Sequence, residues 1–369
     1  DYYKGLRFRN RVYVSATPQA ILELRDDPRV ARIIPEKDSV RDAQREAGTQ
    51  SIRKAPPIPP GNSWAVDKLG LQPLWEAGVD GSGVTVAVLD SGVMGDHQAF
   101  AGNPAEPSWY DPARGEPEAY DTVPHGSQVL SCAVGRPVEG RHLGAAPGAA
   151  WVAALSNFHN SYNNIYMSLA ADWILFETEA DVVLGAWGHG ERSCDPRDLP
   201  MIEAFRAAGM VPVLAAGNDG PAPGTGQTPA ALAGLFPDGR GPLAVAAVDH
   251  RLEILEASSR GPIACEPAPD TFPDLAAPGW NLPVPTAPHD SSLTLASGTS
   301  FAVGWAGGVA ALMLQVAPDM PVETVEDLLK STARDLPPQG VDTISGHGLL
   351  DPAAAVEAAR MWADKHGPR

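Results

Sequence analysis

The sequence predicts an α/β fold: a parallel sheet covered by helices on both faces, with a small α/β module in front of it. Three observations predict this. Near-continuous apolar runs recur at VTVAVLD (84–90), AAWVAAL (149–155), ADVVLGAW (180–187), GMVPVLAAGN (209–218) and GPLAVAAVD (241–249), the pattern of strands that meet water on neither face. The segments between these runs are long enough for the helical crossovers that parallel neighbours require. The stretch VGWAGGVAALMLQV (303–316) is apolar all round, so a helix formed from it must be buried and closely packed.

Composition narrows the function. A chain of 369 residues can hold one large core and a smaller appendage. With 44% hydrophobic and 20% charged residues it carries enough apolar surface to offset the entropy of folding, which excludes wholesale disorder. Against 27 Lys and Arg stand 45 Asp and Glu, a net charge of −18 that repels phosphate backbones, so nucleic acid is not an expected partner. No apolar run is expected to reach the roughly 18 uninterrupted residues of a membrane-spanning helix, and no membrane partner is expected. The chain starts at Asp1 without a basic or apolar leader, so an export signal is expected to have been removed or never to have existed. Cys132, Cys194 and Cys265 are too few for a disulfide scaffold and form no CxxC pair, leaving room for one disulfide at most.

In chain order, RVYVSATPQAILELRDDPRVARII (11–34) reads as a strand, a Pro-initiated helix, a turn at Asp27-Pro28 and a second strand. The composition then shifts to charge and to KAPPIPPGN, an extended connector. The expected division is a module over 1–45, a linker over 46–63 and a main domain over 64–362. In an open parallel sheet the chemistry gathers at the carboxyl ends of the strands. There the first long run ends in Asp90-Ser91-Gly92, a carboxylate followed by a residue that permits a sharp turn. His125-Gly126-Ser127 opens the apolar stretch QVLSCAV, placing an imidazole at a helix start, where the helix dipole disfavours its protonation and keeps it basic. Ser300, in Ser297-Gly298-Thr299-Ser300, stands at the start of the long buried helix, where backbone N–H groups favour developing negative charge. Singly, each has a plain alternative as a turn residue, a structural histidine or a helix cap. Together they give a carboxylate, an imidazole and a hydroxyl in the order Asp, His, Ser at the ends of elements of one sheet, the parts of a nucleophilic triad.

These residues lie in stretches that resemble the subtilisin-like serine proteases, the subtilase family: VAVLDSGV (86–93), HGSQV (125–129), SGTSFA (297–302) and AAGND (215–219), with GAAPGA (144–149), LAAPG (275–279) and GHGLLDPAAAV (346–356). The resemblance covers nearly the whole chain. It implies a subtilisin-like sheet and peptide-bond hydrolysis through an acyl-enzyme, with Ser300 as nucleophile, His125 as base, Asp90 orienting the ring and Asn218 donating to the oxyanion. It implies a peptide or protein substrate bound along Ala186, Trp187 and Gly188 on one side and Asn160 and Tyr162 on the other, with Ala215, Ala216 and Gly217 lining the pocket. Trp187 and Tyr162 stand where smaller residues are usual, so a narrow cleft and restricted specificity are expected, unless both are core aromatics. The amino-terminal module resembles the second half of a subtilase propeptide, so the chain's own module is an expected partner, with processing at Arg41, Asp42 or Ala43. Secretion is expected by the same analogy.

The chain departs from the family at Ser127, at Phe301-Ala302-Val303-Gly304 after the nucleophile, and at Ala99 and GRPVEGRH (135–142), where the family's tight calcium site usually has oxygen ligands. No cofactor is expected, and that calcium site is expected to be empty. Asp111 or Asp121 could bind calcium weakly, although a chance cluster explains them as well. Cys132 is expected to be a small core residue. The competing functions are a processing protease for one partner, a transferase that closes macrocycles from the same acyl intermediate, and a silent protein that captures peptides by strand addition.

Overall fold

The computed structural model describes residues 2–33, 58–158, 161–162, 164–188, 194–236, 241–263, 265–266 and 271–367. At the amino end, strands β1 (Tyr2–Leu6) and β2 (Arg11–Ser15) form an antiparallel hairpin, followed by helix α1 (Pro18–Arg25) with Thr17 as its cap. The strand expected before position 34 is not formed within 29–33; a turn closed by Val30 N–H on the Asp27 carbonyl stands there, followed by chain without a partner strand. The hairpin was not foreseen, because YYKGLRF lacks a clear alternation of apolar and polar residues.

After α2 (Trp64–Leu69) and α3 (Gln72–Glu76) the main sheet begins. In chain order come β3 (Thr85–Asp90), β4 (Pro104–Tyr110), α4 (His125–Val134), β5 (Ala150–Leu155), a short hairpin β6 (Asn157–Phe158) and β7 (Ser161–Tyr162), α5 (Asn164–Glu177) and β8 (Val182–Gly185). Then follow α6 (Leu199–Ala207), β9 (Val211–Ala215), β10 (Leu243–Val248), β11 (Leu275–Pro278), the hairpin β12 (Leu282–Pro285) and β13 (Leu293–Ala296), α7 (Thr299–Val316), α8 (Val322–Ser331) and α9 (Pro352–His366). Among the described residues, seven strands form one sheet in the order β11-β10-β9-β8-β3-β5-β4, and every neighbouring pair is parallel.

Side-chain alternation shows why these runs become central strands. Val86 and Val88 of β3 face the cluster that holds α4 and α7, while Ala87 and Leu89 face the cluster that holds α5 and α6. Both faces are covered, so the period-2 signal is apolar throughout. Helix α7 is the spine of the first face, buried from Thr299 to Leu314. It corrects one expectation: Thr299–Val316 is long and apolar enough to cross a membrane, but 89% of it is buried inside the fold, so it serves as a core helix. Its glycines permit contacts no other residue would. A Cβ on Gly304 would lie 2.5 Å from Cys132 Cβ and from the Val129 carbonyl oxygen of α4. That close crossing sets the His-bearing and Ser-bearing helices side by side.

The amino-terminal hairpin rests on α5. Arg7 donates from its backbone N–H (2.6 Å) and Nε (2.9 Å) to Asp172, and from Nη1 to Glu177 (2.7 Å). Its guanidinium lies 4.4 Å over the Phe176 ring, and the Tyr13 hydroxyl donates to the Asn164 carbonyl. Cys194 and Cys265 form a disulfide, and Cys132 is a buried free thiol.

Candidate active site

Asp90 is the last residue of β3 and is 2% exposed. Its Oδ1 accepts from the Ser91 N–H at 2.7 Å, and its two oxygens stand 2.8 and 2.9 Å from Nδ1 of His125, the first residue of α4. A carboxylate only accepts, so Nδ1 carries the proton and Nε2 is the basic nitrogen. The contact depends on Gly126: a Cβ there would fall 2.3 Å from the Gly92 carbonyl oxygen and 3.0 Å from Asp90 Cβ, forcing α4 off the end of β3. Ser91 reinforces the junction, its Oγ accepting from the Gly126 N–H (2.9 Å) and donating to the Val123 carbonyl (2.6 Å).

Ser300 is the second residue of α7 and is 8% exposed; the ring of the next residue, Phe301, stands 6.1 Å from the His125 ring. Asn218 follows β9 on an exposed turn. Its Oδ1 accepts from the Thr299 N–H (3.0 Å) and hydroxyl (3.2 Å). Because the oxygen is held by two donors, the amide is oriented and its NH2 is left as the donor beside the start of α7. The backbone is fixed from behind, since Gly298 N–H donates to the Gly279 carbonyl (2.8 Å) and Asn281 N–H to Ser297 Oγ (2.9 Å).

The structure thus brings Asp90 and His125 into direct contact and sets Ser300 and Asn218 at the head of the neighbouring helix. Ala186 and Gly188 follow the end of β8, and Ala215 ends β9 with Ala216 and Gly217 after it, at the carboxyl edge of the sheet. Ala216 is fully buried, and Gly217 has a φ of +111° with its backbone against Gln227 and Ser259. Trp187 requires a correction: it is 5% exposed and packs in the α5–α6 core, because its side chain turns back under the sheet and not toward the cleft. It gives no ground for a narrowed cleft. Tyr162 lies on β7 paired with Asn157. Asn160 and the expected processing residues Arg41, Asp42 and Ala43 lie outside the described residues.

Near the positions where the family's calcium ligands are usual, the Arg136 guanidinium donates to Asn103 Oδ1 at 3.0 Å and the Ala99 carbonyl accepts from the Arg136 N–H. Asp111 spends its oxygens on the N–H groups of Ala113, Arg114 and Glu116 and on the Tyr120 hydroxyl. Asp121 accepts from Val123 N–H (3.2 Å) and from Ser127 N–H (2.9 Å) and Oγ (2.6 Å). Among the described residues no group of three or more His, Cys, Asp or Glu could hold a metal. Burial pushes the Cys132 thiol up, which keeps it protonated and unreactive.

Sequence reasoning treated Asp121 only as a calcium candidate and missed its place behind the histidine. The signal was present: Pro124 precedes the helix and can offer no side-chain cap, while an acceptor stands four residues before His125.

The profile described as "Subtilase family" matches residues 81–348. Bacillopeptidase F of Bacillus subtilis is 30% identical over 95% of this chain, which spans 26% of that protein. Subtilisin-like protease PopC of Myxococcus xanthus is 28% identical over 77% of the chain and 62% of its own length, and fervidolysin of Fervidobacterium pennivorans 29% identical over 80% and 43%. The chain therefore spans between about a quarter and two thirds of these relatives.

Proposed function

From the premise that the chain belongs to the subtilase family, we propose that it is a serine endopeptidase that cleaves peptide and protein substrates through an acyl-enzyme. The observation that carries the reading is the 2.8 Å contact of His125 Nδ1 with the buried carboxylate of Asp90, at the end of a helix packed against the one that Ser300 heads. Ser300 Oγ attacks the scissile carbonyl carbon as its proton passes to His125 Nε2, and Asp90 holds the ring and balances the imidazolium. The carbonyl oxygen becomes an oxyanion, stabilised by the Asn218 NH2 and the Ser300 N–H. His125 returns the proton to the leaving amine as the C–N bond breaks. Water then attacks the ester, with His125 again taking and giving the proton.

The backbone at 186–188, continuing β8 beyond the sheet, is suited to pair with an extended substrate as an added strand. The amino-terminal module acts as the chain's own propeptide, a role supported by the Arg7 clamp on Asp172 and Glu177, with processing between Arg41 and Ala43. Export is supported by the Cys194–Cys265 disulfide, since such bonds persist in oxidising compartments. Incubation of the purified chain with an unfolded protein tests the reading. Mass spectrometry should detect new peptide termini that disappear with Ser300→Ala, and termini that persist in that variant would overturn it.

A further inference from the structure

We propose that Asp121 is a positioning residue for His125, its carboxylate capping the histidine's helix and standing as a second negative charge behind Asp90 that raises the proton affinity of the imidazole. This rests on the protease reading for its catalytic consequence but not for its physical content. The capping is geometric. Helix α4 begins behind Pro124 with no side-chain cap of its own, and Asp121 supplies one: Oδ2 takes the Ser127 N–H at 2.9 Å and the Ser127 hydroxyl at 2.6 Å, while Oδ1 takes the Val123 N–H at 3.2 Å. Residues two before and two after His125 are thereby held by one carboxylate. The network continues to the other half of the pair, for Ser127 Oγ accepts from the Met94 N–H at 2.9 Å, and Asp121 bridges Gly92 in an antiparallel pair. Thr122 N–H donates to the Ser91 carbonyl at 3.1 Å, so the loops carrying Asp90 and His125 are stitched together on both sides of Asp121.

The electrostatic part follows from where that charge sits. The titratable group facing Asp121 from β3 is Asp90, with His125 beyond it on α4; on its own segment the neighbouring Tyr120 hydroxyl is turned to Asp111 instead. Burial, with a smaller contribution from the like charge of Asp90, pushes the Asp121 carboxyl up to about 6. At neutral pH it is ionised. An ionised carboxylate behind the pair favours the imidazolium that forms when His125 takes the proton from Ser300; a neutral one does not.

The test is an NMR titration of the His125 imidazole in the full chain, selectively labelled at histidine and carrying Ser300→Ala to prevent self-cleavage. We expect two inflections coupled through the site, one of them near pH 6 from Asp121. Asp121→Asn should abolish that inflection and lower the apparent pKa of His125 by about half a unit or more. A single inflection in the parent, or an unchanged His125 value in the variant, overturns the proposal; if the variant does not fold, the parent titration alone decides it. In the chain with Ser300 intact, Asp121→Asn should lower kcat about tenfold with KM within about twofold. An unchanged kcat overturns the catalytic consequence, whereas absence of any hydrolysis by the parent chain would count against the protease reading and leave the titration to judge Asp121.

Discussion

Gly304→Ala probes the crossing on which the site depends. Gly304 lies one turn after Ser300, and it faces Val129 and Cys132, which lie one and two turns after His125. The added methyl would stand 2.5 Å from Cys132 Cβ and from the Val129 carbonyl oxygen, and 3.2 Å from the Ala133 nitrogen. None of these atoms is the free end of a flexible side chain, so relief requires the helices to part by about 1 Å to reach ordinary carbon contact. Overpacking of this kind costs about 1–3 kcal/mol. The better helix propensity of Ala offsets about 1 kcal/mol of it, leaving a net loss of about 0–2 kcal/mol. Parting α4 from α7 also parts His125 from Ser300, and a displacement of about 1 Å between reacting groups costs on the order of 100-fold in turnover. Urea unfolding gives the first quantity and kcat on a peptide substrate the second. A variant with the parent's midpoint and turnover would refute the idea that this glycine sets the distance between the two helices.

Other expectations follow from particular contacts. Asn218→Ala should lower kcat by about 10²- to 10³-fold with little change in KM, measured by steady-state kinetics, because the donor acts on charge that develops only in the transition state; an equal rise in KM would indicate a binding role instead. Arg7→Ala should remove the guanidinium contacts to Asp172 and Glu177 and leave only the backbone N–H on Asp172, so hydrogen exchange in the amino-terminal hairpin should accelerate, whereas unchanged protection would mean that other contacts hold it. Reduction of Cys194–Cys265, which closes a span of 71 residues, should lower stability by about 4 kcal/mol in the chain-entropy account, read from the urea midpoint with and without reductant. Asp121 titrates near 6 in the fold against an ordinary 3.8, so its stabilising contribution is present below pH 3.8 and lost as pH rises through 6. Asp121→Asn should therefore flatten the pH dependence of unfolding stability across that window, and a parallel profile would contradict the shift.

The central strands were legible because burial on both faces leaves an unbroken apolar run, as at Thr85–Asp90 and Leu243–Val248. The edge strand Pro104–Tyr110 was not, since one side meets solvent and its two prolines read as a break. Asp90, His125 and Ser300 stood out in the sequence by their places at a strand end and two helix starts, and the structure sets Asp90 against His125, whereas Asn218 was indicated by the resemblance alone. Trp187 stayed open between cleft and core because an aromatic just past a strand end is apolar whether it lines a cleft or turns into the core, and only packing decides which. The pairing of Cys194 with Cys265 was hidden for a related reason: it depends on what the fold brings together, not on neighbours in sequence.

The most direct measurement is covalent labelling with a fluorophosphonate, which reacts only with a serine made nucleophilic by its surroundings. Peptide mapping should find a single adduct on Ser300, lost on substitution of His125 by Ala and strongly slowed by Asp90→Asn. A folded chain that takes up no label, or that carries it on another residue, would contradict the account.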